Sequence, residues 1–286
     1  MKFWQALSFT ETDQLVDLAR SCEAVGFHGA LLSDHVVYPE TFEPLYPYAE
    51  GGRPEFDAET EWPEPWCAIS AMATATERLH FSTAVYIAPL RHPLAVAKSL
   101  SVTSILSGGR TALGAGVGWL REEFEIFGED YGTRGRRLDE SIEIYRKAWA
   151  GETFEHHGRY YDFDRLSMSP APSRPIPIYI GGQSPPALRR AARNDGWIGT
   201  GNAPEEVSGI LETLHRERRT AGVSGDFEVI LALTTPPDFD LWRRLEDQGV
   251  TSMISYPLVY SVGPGASLDV KQRALEQYAE AIIAKY

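Results

Sequence analysis

Short apolar segments alternate along the chain with longer segments whose apolar residues recur at helical spacing. The strand candidates number eight and lie at residues 2–9, 29–34, 79–87, 110–117, 176–181, 197–201, 227–234 and 251–256. Helical segments fall between them, among them 12–25, 93–106, 137–149 and 204–220, and a last one covers 268–285. This alternation favours a parallel sheet covered by helices, and eight such units predict a (β/α)8 or TIM barrel. We therefore expect one α/β domain over residues 1–286.

One connection, residues 36–64, is much longer than the others and has no helical or strand pattern. A loop of this length in a compact fold is usually a lid over a functional site, and a disordered or dimer-contacting segment is the alternative. Its aromatic residues can supply apolar or stacking contacts: Tyr38, Phe42, Tyr46, Tyr48, Phe56 and Trp62. Its many acidic residues disfavour an anionic substrate.

Charge and cysteine content narrow the possible partners. With 27 Lys and Arg against 40 Asp and Glu, the net charge is −13, which disfavours nucleic acid and anionic membrane surfaces. Cys22 and Cys67 lack the spacing of a metal or redox motif, so we expect buried, reduced thiols and no metal. No run of about 18 apolar residues occurs, and the first residues do not form a signal peptide. A cytoplasmic protein that acts on a small molecule is the expectation.

The residues that follow the strands carry the candidate chemistry, because in a (β/α)8 barrel these ends surround the open mouth. Asp34 and His35 directly follow the second strand. A histidine there can move a proton near neutral pH, while Asp34 can orient a ring or bind the polar edge of a ligand. An aspartate that caps the turn and a histidine packed beneath a loop remain the structural alternative.

Two glycine-rich strand ends belong to the same mouth. The segment 114–118, GAGVG, ends the fourth strand, and glycine weakens a strand unless another backbone or a flat ligand must come close. The segment 181–184, GGQS, precedes Pro185 and Pro186, which suit the first turn of a helix. Free amides, a hydroxyl and a helix N-terminus can bind a phosphate, although an ordinary turn with Ser184 as N-cap is equally compatible.

Two other segments leave their roles open. Arg91 closes the third strand, where it can reach the mouth or pair with surface acids. His156 and His157 are adjacent, and no nearby acid or cysteine completes a metal set, so we expect a surface turn there.

Four blocks of the sequence resemble the bacterial luciferase-like monooxygenase superfamily, and within it the actinobacterial oxidoreductases that use the deazaflavin coenzyme F420. They are 19–35 (ARSCEAVGFHGALLSDH), 82–128 (STAVYIAP to EEFEIFG), 134–149 (RGRRLDESIEIYRKAW) and 176–197 (IPIYIGGQSPPALRRAARNDGW). The resemblance implies a barrel that binds a flavin or deazaflavin at its C-terminal mouth, often as a homodimer, with a separate cofactor reductase as a possible partner.

The resemblance also implies roles for individual residues. His35 matches a histidine proposed for proton transfer, and Ala84-Val85 matches a strand bulge where relatives hold a non-prolyl cis peptide. Arg136 resembles a phosphate-reaching arginine of the flavin users, with a solvated surface arginine as the alternative. The implied cofactor-binding residues are Asp34, Ala84, Val85, Gly116, Val117, Gly118, Arg136, Gly182, Gln183 and Ser184. The implied substrate pocket consists of Tyr38, Trp119 and Tyr256.

Two departures from the family pattern guide the functional prediction. Val117 stands where flavin-binding luciferases carry a phosphate-directed arginine, which favours F420 over FMN. Trp119 stands where the F420-dependent sugar-phosphate dehydrogenase has a proposed acidic glutamate, so neither that substrate nor that proton donor is implied. We predict an F420-dependent oxidoreductase that transfers a hydride to or from a small, fairly apolar organic substrate. An FMN-dependent monooxygenase and a non-catalytic deazaflavin-binding protein are the alternatives.

Overall fold

The fold is given by a computed structural model that describes residues 1–43, 46, 50–52, 54, 56–263 and 265–286; Tyr48 lies outside the described residues. The strands are β1 (Lys2–Ala6), β2 (Gly29–Leu32), β3 (His80–Thr83), β4 (Tyr86–Ile87), β5 (Leu113–Gly116), β6 (Phe154–His157), β7 (Asp162–Leu166), β8 (Ile178–Gly181), β9 (Gly196–Asn202), β10 (Glu228–Leu233) and β11 (Ser252–Ser255). The helices are α1 (Leu15–Ala24), α2 (Pro65–Thr74), α3 (Pro93–Leu106), α4 (Arg121–Ile126), α5 (Arg134–Trp149), α6 (Pro185–Ala192), α7 (Pro204–Thr220), α8 (Phe239–Asp247) and α9 (Leu268–Ala281).

Nine strand segments form one parallel sheet in the order β3-β2-β1-β11-β10-β9-β8-β5-β4. Segments β3 and β4 are the two halves of one strand that is interrupted at Ala84-Val85, so the sheet has eight strand positions. A parallel bridge between Phe81 of β3 and Thr111, just before β5, places this interrupted strand beside both β2 and β5 and closes the barrel. The eight predicted strands and the predicted (β/α)8 barrel are confirmed.

Two apolar layers hold the barrel together. The interior is filled by side chains from β1, β2, β9, β10 and β11, namely Trp4, Ala6, Leu31, Ile198, Ile230, Ala232 and Ile254. The larger layer lies between the strands and the surrounding helices. Helix α1 shows how the sequence builds it, because Leu15, Leu18, Ala19 and Cys22 recur every three or four residues and are all buried.

A hairpin of β6 and β7 projects from the helical layer between α5 and β8. The surface turn predicted for His156 and His157 is wrong, because both residues lie in β6 and point to opposite faces. His156 is buried with its Nε2 3.1 Å from Glu140 Oε1, while His157 is exposed beside Asp162. An acid is therefore close to each histidine. The His156–Glu140 pair ties the hairpin to α5, while the His157–Asp162 pair links β6 to β7.

No helix in the described part of the chain is both long enough and apolar enough to cross a membrane.

Candidate active site

His35 and Glu123 form a buried pair at the C-terminal mouth of the barrel. His35 follows β2 and is 8% exposed, and its Nδ1 lies 3.1 Å from Oε2 of Glu123. Glu123 belongs to α4, and its side chain is fully buried. Its Oε1 accepts the Val36 N–H at 2.6 Å and, more distantly, the Val37 N–H at 3.4 Å. The carboxylate thus joins the segment after β2 to α4 and holds the imidazole in place.

Aromatic rings surround the imidazole of His35. The ring centroids of Phe56, Trp62 and Trp119 lie 5.2, 5.0 and 5.8 Å from that of His35. Phe9, which follows β1, packs against Phe56 and Trp62 at 6.1 and 5.5 Å. We call Phe9, Phe56, Trp62 and Trp119 the aromatic cluster. It makes the surroundings of the histidine apolar and excludes water from most of its surface.

Phe9 adopts a backbone conformation that is uncommon for a bulky residue, with φ at +62°. Such conformations persist where the surrounding structure requires them, and they cluster at functional sites. Here the conformation turns the Phe9 ring toward Phe56 and Trp62, two described residues of the long connection after β2.

Two of the predicted substrate-pocket residues lie at different distances from His35. Trp119 directly follows Gly118 and belongs to the aromatic cluster. Tyr38 packs against Phe42 at 5.5 Å and against Phe56 at 6.0 Å, so it contacts the aromatic cluster through Phe56. Tyr38 therefore supports the cluster from outside.

The third predicted pocket residue, Tyr256, follows β11 and packs on the side chains inside the barrel. Burial raises the pKa of its hydroxyl, and the neighbouring Tyr260 and Tyr46 raise it further. Tyr256 is therefore neutral near physiological pH and can act only as a neutral hydrogen-bonding group.

Asp34 makes an ion pair that fixes the backbone of the interrupted strand. Its oxygens lie 2.6 and 2.9 Å from the two terminal nitrogens of Arg91, and Oδ2 also accepts the Ile87 N–H at 2.8 Å. The Asp34 side chain is fully buried, and that of Arg91 is 20% exposed. Burial alone lowers the pKa of Arg91, but the hydrogen bonds and charge of Asp34 outweigh it and raise that pKa. Of the two roles left open for Arg91, pairing with surface acids is not found, because its partner Asp34 is buried. A contact of Asp34 with a cofactor ring stays a prediction.

The predicted cis peptide between Ala84 and Val85 is confirmed. Ser33 donates a hydrogen bond to the Ala84 carbonyl at 3.1 Å, so the end of β2 supports this bulge. The side chain of Val85 lies between β5 and β8, where a Cβ on Gly116 or on Gly181 would overlap its methyl groups. Both glycines are therefore required by the close approach of Val85.

The other glycines of 114–118 are explained by the same strand. A Cβ on Gly114 would overlap the carbonyl oxygen of Thr83, which confirms the expected close approach of another backbone. Gly118 has φ at +78°, and a Cβ there would press on Ile87 and Phe124. Val117, between them, is half-buried and packs on the core.

The turn Gly182–Ser184 precedes α6 and keeps its polar groups available. Gly182 has φ at +100° and its carbonyl accepts the Trp197 Nε1–H at 2.9 Å. Ser184 occupies the N-cap position, but its exposed hydroxyl makes no capping bond to any described residue. Gln183 between them is half-buried. The hydroxyl and the turn amides can therefore meet an anion from outside.

Arg136 and Arg134 differ in their placement on α5. Arg136 is exposed, and its predicted phosphate contact stays a prediction. Arg134, which sequence reasoning did not single out, donates from Nε to the Gly118 carbonyl at 3.1 Å and lies 3.6 Å from the centre of the Tyr131 ring. Arg134 is thus the arginine that touches the end of the β5 segment.

Fold and site together define a closed parallel barrel with a buried histidine–carboxylate pair and a broken strand at its mouth. The chain belongs to the luciferase-like monooxygenase family, whose model matches residues 4–240. It is 37% identical to the uncharacterized protein Rv0940c of Mycobacterium tuberculosis over the full length of both chains.

Two further similarities concern proteins with named activities. The chain is 30% identical to the F420-dependent glucose-6-phosphate dehydrogenase of Nakamurella multipartita, over 82% of this chain and 66% of that protein. In structure it resembles the monooxygenase RslO1 from Streptomyces bottropensis, with a TM-score of 0.80 and 19% identity over the whole of both chains. The second similarity concerns the fold alone.

Proposed function

We propose that the protein is an F420-dependent oxidoreductase that transfers a hydride between the deazaflavin and a small, uncharged organic substrate. The observation that carries the proposal is the His35–Glu123 pair beneath the aromatic cluster, because it offers one proton-handling group in apolar surroundings. The choice of F420 is supported by the similarity to the F420-dependent dehydrogenase. Val117, in place of an arginine, supports it as well.

The residues at the mouth fit such a cofactor. Val85, seated in the space left by Gly116 and Gly181, would lie behind the ring system, and the exposed hydroxyl of Ser184 would reach the phosphate. When bound, the deazaflavin supplies a carbon centre that carries a hydride and reacts poorly with oxygen. His35 holds or moves the accompanying proton, and the aromatic cluster limits access of water.

The preference for an uncharged substrate follows from the charges near the mouth. Arg91 is engaged there by Asp34, and Arg134 by the Gly118 carbonyl and the Tyr131 ring. Arg121, which begins α4, lies over the same Tyr131 ring at 4.7 Å. An anionic substrate would meet no uncompensated cation among the described residues that contact the aromatic cluster, in a protein of net charge −13.

The segment 36–64 acts as a lid in this proposal, because it contributes Phe56 and Trp62 to the aromatic cluster. A homodimer is part of the proposal too. Helix α3 leaves Val102, Ile105 and Leu106 exposed on one face, and a contiguous apolar face of this kind supports a protein–protein contact.

An FMN-dependent monooxygenase is the second candidate. The aromatic cluster favours it, because oxygen-inserting flavin enzymes need a dry pocket, and the fold resembles that of RslO1. A deazaflavin-binding protein without catalysis is the third candidate, and it requires no proton-handling histidine.

Fluorescence titrations with oxidised F420 and with FMN test the proposal. We expect F420 to bind in the micromolar range and FMN at least about tenfold more weakly. Reduced F420 should then be oxidised by an enone such as cyclohex-2-enone, and His35→Gln should abolish turnover without weakening F420 binding. Tighter FMN binding with oxygen consumption would establish the monooxygenase, and turnover unaffected by His35→Gln would remove the assigned role of the histidine.

A further inference from the structure

The carboxylate of Glu123 is placed to control which nitrogen of His35 carries a proton. Its side chain is fully buried, so each oxygen needs a hydrogen-bond donor. Oε1 has the backbone N–H groups of Val36 and Val37, and Oε2 has only Nδ1 of His35 among the described residues. An ionised carboxylate can only accept, so the bond to Oε2 requires a proton on Nδ1.

The contacts of Glu123 leave Oε2 as the oxygen that could carry a carboxyl proton. Oε1 accepts two backbone N–H groups, at 2.6 and 3.4 Å, so it is an acceptor and not a donor. With Oε2 unprotonated as well, Oε2 accepts the proton on Nδ1 of His35. The alternative, a protonated Glu123 that donates to an unprotonated Nδ1, would place the neutral histidine proton on Nε2.

The other ring nitrogen of His35, Nε2, remains available to accept or donate a proton. Within the described part of the chain, no group forms a hydrogen bond with Nε2, while Phe56, Trp62 and Trp119 pack around the ring. With Nδ1 tied to Glu123, the imidazole cannot rotate without breaking a buried bond. Neutral His35 then presents Nε2 as an acceptor, and protonated His35 presents it as a donor.

The position of Glu123 along the chain assigns it an indirect role. It lies in the first turn of α4, four residues after Trp119, and it binds His35 at Nδ1. We propose that Glu123 is a positioning residue that holds neutral His35 in the Nδ1–H form, so that protons are exchanged at the mouth through Nε2. The catalytic part of this inference rests on the proposed function.

The tautomer of His35 tests the inference without any cofactor. In long-range proton–nitrogen NMR spectra of the protein labelled with ¹⁵N-histidine, His35 is one of seven histidines and is assigned by its loss in His35→Gln. At about pH 8.5, above the usual histidine range, we expect the Nδ1–H tautomer. Glu123→Gln should invert it to Nε2–H, because the amide oxygen keeps the backbone donors while its NH2 donates to Nδ1. Glu125→Gln, an exposed residue of the same helix, should change nothing.

Turnover provides the second readout. With reduced F420 and cyclohex-2-enone, Glu123→Gln should lower kcat about 10²-fold or more with KM little changed, whereas Glu125→Gln should behave as the parent. An Nε2–H or mixed tautomer in the parent protein overturns the inference, and so does an unchanged tautomer in Glu123→Gln. If Glu123→Gln does not fold, the His35 tautomer in the spectrum of the unmodified protein decides whether the inference holds. If the tautomers are as expected but the protein does not oxidise reduced F420 with the enone, the proposed function is refuted and the control of the His35 tautomer by Glu123 still holds.

Discussion

The ion pair between Asp34 and Arg91 gives a stability prediction whose size follows from burial. Arg91→Met keeps the aliphatic length of the side chain and removes the guanidinium, which leaves the fully buried Asp34 carboxylate with the Ile87 N–H. Removing one partner of a buried pair costs about 3–5 kcal/mol, because the remaining charge stays buried. The Arg91 side chain is 20% exposed, so some water reaches the pair. We therefore expect the free energy of unfolding to fall by about 2–4 kcal/mol.

A double-mutant cycle separates this charge effect from lost packing. Asp34→Asn keeps an acceptor for the Ile87 N–H and leaves a partly hydrated Arg91, so it should cost about 1–2 kcal/mol. The double variant should cost clearly less than the sum of the single variants, because no unpaired buried carboxylate remains. Urea denaturation followed by far-ultraviolet circular dichroism gives all four values. Arg216→Met, at an exposed arginine of α7, is the control and should change stability by less than about 0.5 kcal/mol. Additive costs, or an Arg91→Met cost below about 1 kcal/mol, would refute the reasoning.

Two other predictions concern Gly116 and His28, which directly precedes β2. Gly116→Ala should lower stability by about 1–3 kcal/mol and weaken cofactor binding, since its methyl group overlaps Val85. Adding Val85→Ala to Gly116→Ala should restore part of the lost stability, because it removes the overlapping methyl groups. Gly209→Ala is the control: it lies in α7 with open space around it and should not lower stability. Equal urea midpoints for Gly116→Ala and the unmodified protein would contradict the predicted overlap. Burial and the nearby charges of His80 and Lys2 lower the pKa of His28 to about 4. The unfolded chain then binds more protons between about pH 4 and 6.5, so stability should fall by about 1–2 kcal/mol as pH falls through this window. His28→Gln should reduce that pH dependence in urea titrations, while His80, whose pKa is also lowered by burial, keeps part of it. An unaltered pH dependence would show that His28 does not contribute.

Much of the fold could be predicted because each strand and helix is marked by a pattern within its own short stretch of sequence. Each strand is a short apolar segment bounded by turn residues, and regular alternation with helices leaves few topologies open. The same rule placed Asp34 and His35 at the mouth, because residues that follow parallel strands meet at one edge. The hairpin of β6 and β7 was missed because its strands, FEHH and DFDRL, are mostly polar and lack the apolar run that marks the barrel strands.

The partners of the site residues could not be predicted, because they depend on contacts distant in sequence. Glu123 lies beside Glu122 in a six-residue helix, and no local signal shows which of the two acids points inward. It reaches His35 across 88 positions, and Arg91 reaches Asp34 across 57. Phe9 takes part through a positive φ that only the assembled mouth imposes.

The adjacent residues Asp34 and His35 divide two tasks between them. Asp34 binds Arg91 and the Ile87 N–H, so it fixes the interrupted strand behind the mouth. His35 binds Glu123 and faces the aromatic cluster, so it is the side chain of the pair that can exchange a proton there. Asp34 is thus paired with Arg91, and His35 brings a titratable nitrogen among the apolar rings of the aromatic cluster. A site of this kind suits a reaction in which one proton accompanies one hydride, and it offers little to a phosphate or carboxylate on the substrate.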